Sequence, residues 1–299
     1  MSELINIGIF SGSRDKNIKL WDVKNSTLDK VSTIGSHDTW VYSVDVSPDK
    51  TKLISGSDKI YKKKLPGSVK IWDMDSFEIL KEYETRGTRK ALFSPNGENI
   101  IYVDYSVYIY DLSSDKPVLQ NFANQEWPIM HLTISPDGRI FAISSEKYAK
   151  IYDIRSNEKI KKFESKDDVK SFSFSPDMNQ FVTGDYENIL SFWDFRTDEL
   201  IKSHDNLYDT HIYDINHSKD GRYVISGDQM GQINIWDSTT YELLKTFKQK
   251  GYVSQVKFID NNTFFSGSYN GNVNLWNIDS GNILTLSNDS ECVECVCLF

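Results

Sequence analysis

INIWD, residues 233–237, is one of seven copies of a single pattern, apolar-x-apolar-aromatic-acid. The others are IKLWD (18–22), VKIWD (69–73), VYIYD (107–111), AKIYD (149–153), LSFWD (190–194) and VNLWN (273–277), the last ending in Asn. The aromatic falls at 21, 72, 110, 152, 193, 236 and 276, so successive gaps are 51, 38, 42, 41, 43 and 40 residues. A period near 40 residues is the mark of a repeat architecture in which each unit is one small sheet. The 51-residue gap implies a local insertion, Ile60-Tyr61-Lys62-Lys63-Lys64-Leu65-Pro66-Gly67.

Two further marks recur in phase. A Ser/Thr-Gly pair precedes the aromatic at 11–12, 55–56, 183–184, 226–227 and 266–267. A Ser-Pro-Asp/Asn turn recurs at 47–49, 94–96, 135–137 and 175–177. Pro presets φ there, and Asp or Asn bonds its own backbone, which is tight-turn chemistry. Between the marks, apolar and polar residues alternate as in half-buried strands.

These seven in-phase motifs resemble the WD-repeat family over essentially the whole chain. The resemblance implies an all-β, seven-bladed β-propeller, each blade a four-stranded antiparallel sheet with strands a to d running outwards from a central channel. The units are expected near 1–36, 37–85, 86–124, 125–164, 165–205, 206–248 and 249–288, as one domain over 1–299. In the second unit the strands are expected at 41–47, 52–57, 69–74 and 78–84. The chain opens at Ile5–Ser13 with a b strand and no a strand before it. The tail at 291–299 repeats the a-strand pattern of Val41–Val46, so it is expected to close the ring beside the three N-terminal strands and to remove exposed edges.

Composition bounds the function. The chain has 299 residues, 39% apolar and 13% aromatic, with formal net charge −9 from 34 basic and 43 acidic residues. Nucleic acid binding needs a basic footprint, so direct contact with nucleic acid is not expected. The N-terminus lacks a basic segment followed by an apolar core, and no apolar run of transmembrane length occurs, so no signal peptide and no membrane partner are expected. The three cysteines, Cys292, Cys295 and Cys297, all lie at the end. They read as small buried residues of the closing strand in a reducing compartment, the cytosol or else the nucleus.

The family ties its strands with a His, a Ser or Thr, an Asp and the Trp. Here His37, Ser55 and Trp72 fit in the second blade, with Asp58 as a possible fourth member beside the insertion. Asp15, Ser11 and Trp21 fit in the first; in the sixth, Tyr208 falls where His would be and Met230 where Asp would be. A Ser, His and Asp could also suggest hydrolysis. However, this Ser precedes Gly within a strand pattern, not on a G-x-S-x-G elbow. No enzyme activity is expected. Zinc is not expected either: His204, His211 and His217 lie close in sequence but without H-E-x-x-H spacing, and Cys292, Cys295 and Cys297 lack a fourth ligand. No phosphate-cradling glycine loop occurs. The Phe-Arg-Arg-Gly motif of phosphoinositide-reading propellers is absent too, the nearest string being Phe195-Arg196-Thr197-Asp198. No cofactor is expected.

In this family the d–a and b–c loops form one face. Alignment on the a strands puts there Trp40, Tyr42, Arg86, Arg89, Trp127, Met130, Lys170, His211, Tyr213, Tyr252 and Tyr269, with Lys62, Lys63 and Lys64 as a basic lip. Trp, Tyr, Met and Arg are the types enriched at interface cores. Some of these rings could instead seal blade against blade, and the lysines could simply solvate a loop. The expectation is a scaffold for other proteins, a monomer or a subunit of a hetero-complex, that takes an acidic or phosphorylated segment. The alternative is a subunit of a translation-initiation or RNA-decay complex, since Asp237-Ser238-Thr239-Thr240 with Lys245-Thr246-Phe247 resembles one blade of the small WD-repeat subunit of the third initiation factor.

Overall fold

The computed structural model describes residues 7–24, 27–59, 65–114, 116–122, 129–205, 210–287 and 292–298. Among them are twenty-eight strands and no helix. The strands form seven four-stranded antiparallel sheets, the blades of a β-propeller. Six blades are built from four consecutive strands. In the first blade, Val293–Leu298 pairs with Ile7–Ser13, setting Phe10 opposite Cys297 and Gly12 opposite Cys295. The tail therefore completes the first blade, as its a-strand pattern predicts. The second blade runs Val41–Val46, Lys52–Ser57, Gly67–Asp73 and Ile79–Thr85. Its third strand begins two residues before the expected position, because Gly67 and Ser68 continue the ladder opposite Thr85 and Glu84.

Each recurring mark has a local physical cause. In the Ser-Pro-Asp turn, Ser47 Oγ donates to Asp49 Oδ1 at 2.6 Å and accepts the Lys52 N–H at 2.9 Å, which fixes the hairpin between the first two strands. Ser135 and Ser175 repeat the bond to Asp137 and Asp177. The acid after each aromatic caps the next turn: Asp73 Oδ1 accepts the N–H groups of Asp75 and Ser76 at 3.0 and 2.9 Å. Asn277 does the same for Asp279 and Ser280, so Asn serves there as well as Asp. In the Ser/Thr-Gly pair the glycine makes room for the next blade. A Cβ on Gly12 would meet Val41 Cγ1 at 2.5 Å, and one on Gly227 would meet Val253 Cγ1 at 2.4 Å.

The chain divides into two compact units, one of Met1–Ile129 with Leu286–Phe299 and one of Met130–Thr285. In the first, Phe10, Val41, Leu53 and Trp72 share a core with Cys295 and Cys297. A second core gathers Ile54, Ile71, Phe93 and Ile100. In the second unit, Phe163, Phe172, Phe174 and Phe181 form an aromatic core between neighbouring sheets. Burying each such ring contributes roughly 1.5–3 kcal/mol to the stability of its unit.

Candidate functional site

The aromatic of the repeat acts in two ways. Where it is Trp, its indole N–H is tied to the preceding Ser or Thr. Trp21 Nε1 donates to Ser11 Oγ at 2.7 Å, Trp72 to Ser55 at 2.8 Å and Trp193 to Thr183 at 3.0 Å. Trp236 and Trp276 bond Ser226 and Ser266, each at 2.8 Å. Where it is Tyr, the ring stacks instead: Tyr110 on Tyr102 at 5.9 Å, and Tyr152 on Phe141 at 5.4 Å.

In the second blade, His37 Nε2 lies 2.7 Å from Ser55 Oγ, and Nδ1 lies 2.8 Å from Ser68 Oγ. Burial lowers the His37 pKa to about 3, so the ring is neutral near pH 7. Both Ser55 and His37 are buried, and Ser55 Oγ is engaged by His37 and Trp72 together, so the pair ties strands and presents no free nucleophile. Asp58 is not the fourth member. It pairs with Arg89 at 2.9 Å, and Ser68 takes the place on His37 because the third strand starts early. In the first blade, Asp15 likewise turns away from Ser11 and Trp21. It accepts Lys19 Nζ at 2.6 Å and the Asn17 N–H at 2.9 Å. Sequence reading missed Gln249 in the seventh blade, whose Oε1 bonds Ser266 Oγ and accepts Asn274 Nδ2 where a His would otherwise stand.

In the first unit, Trp40, Tyr42 and Arg89 come together with two residues not singled out from sequence, Arg14 and Glu294. The Arg14 guanidinium lies 4.8 Å from the centre of the Trp40 ring and bonds Glu294. Arg89 lies 4.2 Å from the centre of the Tyr42 ring and bonds Asp58. The two rings are 6.4 Å apart. Trp40 is 38% exposed even so. Burial pushes the Tyr42 hydroxyl up to about 12, so it remains a neutral hydrogen-bond donor. Each arginine already holds a carboxylate, which makes this a pre-ordered aromatic patch of balanced charge and not a bare cationic lip. Arg86 stands apart from it: its side chain is exposed, and its N–H reaches Asp104 Oδ2 at 3.4 Å. Lys59 lies 5.2 Å from the Tyr105 ring centre. Lys62, Lys63, Lys64, Trp127 and Tyr208 lie outside the described residues.

The second unit holds a tyrosine row. Lys170 Nζ lies 4.5 Å from the Tyr213 ring centre and 5.5 Å from that of Tyr186. Tyr213 meets Tyr269 at 6.3 Å, and Tyr269 meets Tyr252 at 5.4 Å. His211 packs on Tyr186 at 4.8 Å and bonds its carbonyl oxygen. Tyr252 is 42% exposed. Met130 is half-buried, its N–H bonded to Ser144 Oγ, and Met230 is exposed. Among the described residues no three His, Cys, Asp or Glu side chains gather as a metal site, and no helix is long and apolar enough to cross a membrane.

Seven four-stranded blades, each with its aromatic at one register and most tied by a Trp-to-Ser/Thr bond, define a WD-repeat propeller. The fold and its repeat are those of the WD-repeat β-propeller family. The model of the WD domain, G-beta repeat, matches residues 6–22 and 28–73. A second model, eukaryotic translation initiation factor eIF2A, matches residues 142–269. Among similar proteins, the serine-threonine kinase receptor-associated protein of Gallus gallus is 27% identical over 216 residues, 71% of this chain and 58% of the relative. Mitotic checkpoint protein BUB3.3 of Arabidopsis thaliana is 32% identical over 139 residues, 46% of this chain and 41% of the relative. Eukaryotic translation initiation factor 3 subunit I of Emericella nidulans is 22% identical over 219 residues, 66% of this chain and 61% of the relative. The chain thus matches between 41% and 61% of the length of these relatives.

Proposed function

We propose that this protein is a non-catalytic WD-repeat scaffold, residues 1–299 acting as one domain that docks other proteins in a multiprotein assembly. The observation that carries the reading is the patch of Trp40, Tyr42, Arg14 and Arg89. Ion pairs and cation–π contacts hold large aromatic surfaces in place before a partner arrives, so little side-chain entropy is lost on docking. The tyrosine row from Tyr213 to Tyr252 offers a second surface of the same kind, with His211 at its margin and Met130 earlier in the chain. An acidic or phosphorylated partner segment meets Arg86 rather than Arg89, since Arg89 is already paired. The chain acts in the cytoplasm, with the nucleus as the alternative, as a monomer or within a hetero-complex.

A second reading, a subunit of a translation-initiation complex, draws on the match of residues 142–269 to the eIF2A model and on the likeness to initiation factor 3 subunit I. Nothing comparable favours RNA decay. Co-sedimentation of the tagged protein with 43S initiation particles separates the two: enrichment there supports the second reading, and a fixed assembly elsewhere supports the first alone.

A further inference from the structure

The repeat supplies its own baseline for finding residues that the fold does not require. At the penultimate place of the a strand and its turn, successive blades carry Asp45, Leu92, Thr133, Ser173, Asn216 and Lys257. Lys257 is the one cation in that series. At the next place they carry Val46, Phe93, Ile134, Phe174, His217 and Phe258, so His217 interrupts an apolar column. In the turn that follows, Pro48, Pro95, Pro136 and Pro176 have Lys219 as their counterpart in the sixth blade. The Lys219 turn folds as the others do, with Ser218 Oγ bonded to Asp220 at 2.7 Å, so the loss of Pro is not forced by a different turn geometry.

The three departures line one cavity of about 360 Å³ in the second unit. Its apolar wall is Ile134, Phe174 and Phe258, with Pro136 and Pro176. Among the described residues no carboxylate lines it, in a chain of net charge −9. Among the described residues, neither the Lys219 nor the Lys257 ammonium forms an ion pair or hydrogen bond, Lys257 joining its neighbour strand through the backbone ladder alone. Asn216 spends Oδ1 on the Phe258 N–H at 3.0 Å, which leaves its amide N–H2 for the cavity. His217 Nδ1 is held by Ser173 Oγ at 2.9 Å. The contrast with a neighbouring hollow of about 370 Å³ is one of sign: that one carries Asp177, Asp194 and Asp220 and no cation.

We infer that the cavity at Lys219, Lys257 and Asn216 is a binding site for a small organic anion, a phosphate or carboxylate group attached to a flat apolar body. The anion meets the two ammonium groups and the Asn216 amide, and the apolar body rests on Phe174, Phe258 and Ile134. The size fits: ligand pockets begin at roughly 300 Å³ and combine an apolar lining with a few convergent polar groups. The site is independent of the protein-docking patches, so it stands or falls apart from them.

Isothermal titration of the full chain with phenyl phosphate, benzylamine and inorganic phosphate tests it. Phenyl phosphate binds saturably, inorganic phosphate more weakly, and benzylamine not at all. Lys257→Ala and Lys219→Pro each weaken phenyl phosphate binding about threefold, and together on the order of tenfold. Lys219→Pro restores the residue that the other turns carry, so it leaves folding intact and keeps the test decisive. Absence of saturable phenyl phosphate binding, equal binding of benzylamine, or undiminished binding by the folded double variant overturns the inference.

Discussion

Asp58 Oδ2 lies 2.9 Å from Arg89 Nη2, and the same guanidinium lies 4.2 Å from the centre of the Tyr42 ring. One arginine thus fixes both an acid next to the insertion and an aromatic at the start of a first strand. Removing either Arg89 or Asp58 by Ala is expected to cost about 1 kcal/mol, the range of a partly exposed ion pair with a cation–π contact. Chemical denaturation of both single variants and the double variant checks this. The double loss should fall short of the sum of the singles, since the two share one interaction; strictly additive losses would mean that the pair does not act as a unit.

Ser55→Ala leaves the Trp72 N–H and His37 without their shared partner in a buried place, and should destabilise by about 1–3 kcal/mol. His37→Ala should lose a similar amount. Thermal melts of the two variants measure it; unchanged midpoints would show that the tie contributes nothing.

Two buried histidines make stability depend on pH. Burial lowers both His37 and His217 to about 3, well below their ordinary value of 6.5. The unfolded chain therefore binds protons below pH 6.5 that the folded chain refuses until about pH 3. Their stabilising contribution is full above pH 6.5 and is lost as pH falls through that window. The slope is at most about 1.4 kcal/mol per pH unit for each histidine. Urea midpoints measured between pH 7 and pH 4.5 should fall steadily, and His217→Phe, the residue type of the neighbouring blades, should flatten the fall.

The closing strand and the residue before it carry three buried thiols, and burial raises Cys292 and Cys295, the latter to about 12. Native protein at mildly alkaline pH should therefore resist a thiol reagent that labels all three cysteines once the chain is unfolded. Deleting 292–299 removes the strand paired with Ile7–Ser13, exposes that edge and opens the core around Phe10. Insoluble or strongly destabilised protein is the expected result. A soluble truncated chain with an unchanged melt would contradict the pairing.

Much of this architecture is legible in residues alone, because the repeat is dictated by local chemistry. Ser-Pro-Asp makes the same turn wherever it falls, and Ser/Thr-Gly marks both the Trp acceptor and the close approach of the next blade. The limits lie where contacts span the chain. Nothing local reveals that Arg14 reaches Glu294, 280 residues away, and thereby holds Trp40. Asp58 looks like the partner of His37 by spacing, yet two extra residues of strand bring Ser68 there first. Lys219, His217 and Lys257 do carry a readable signal, as departures from their own repeat, but only the folded blades place them around one cavity.

The central claim is that pre-ordered aromatic patches dock other proteins. Quantitative affinity purification of the tagged full chain from its own cells tests it most directly, comparing the parent with Trp40→Ala, with Arg86→Glu and with a control, Glu84→Ala, on an exposed outer strand. The account predicts a reproducible set of proteins that is depleted by Trp40→Ala and by Arg86→Glu at unchanged melting temperature, with the Arg86 effect shrinking as salt rises. Retention of the whole set by both folded variants, at the level of the control, would contradict it.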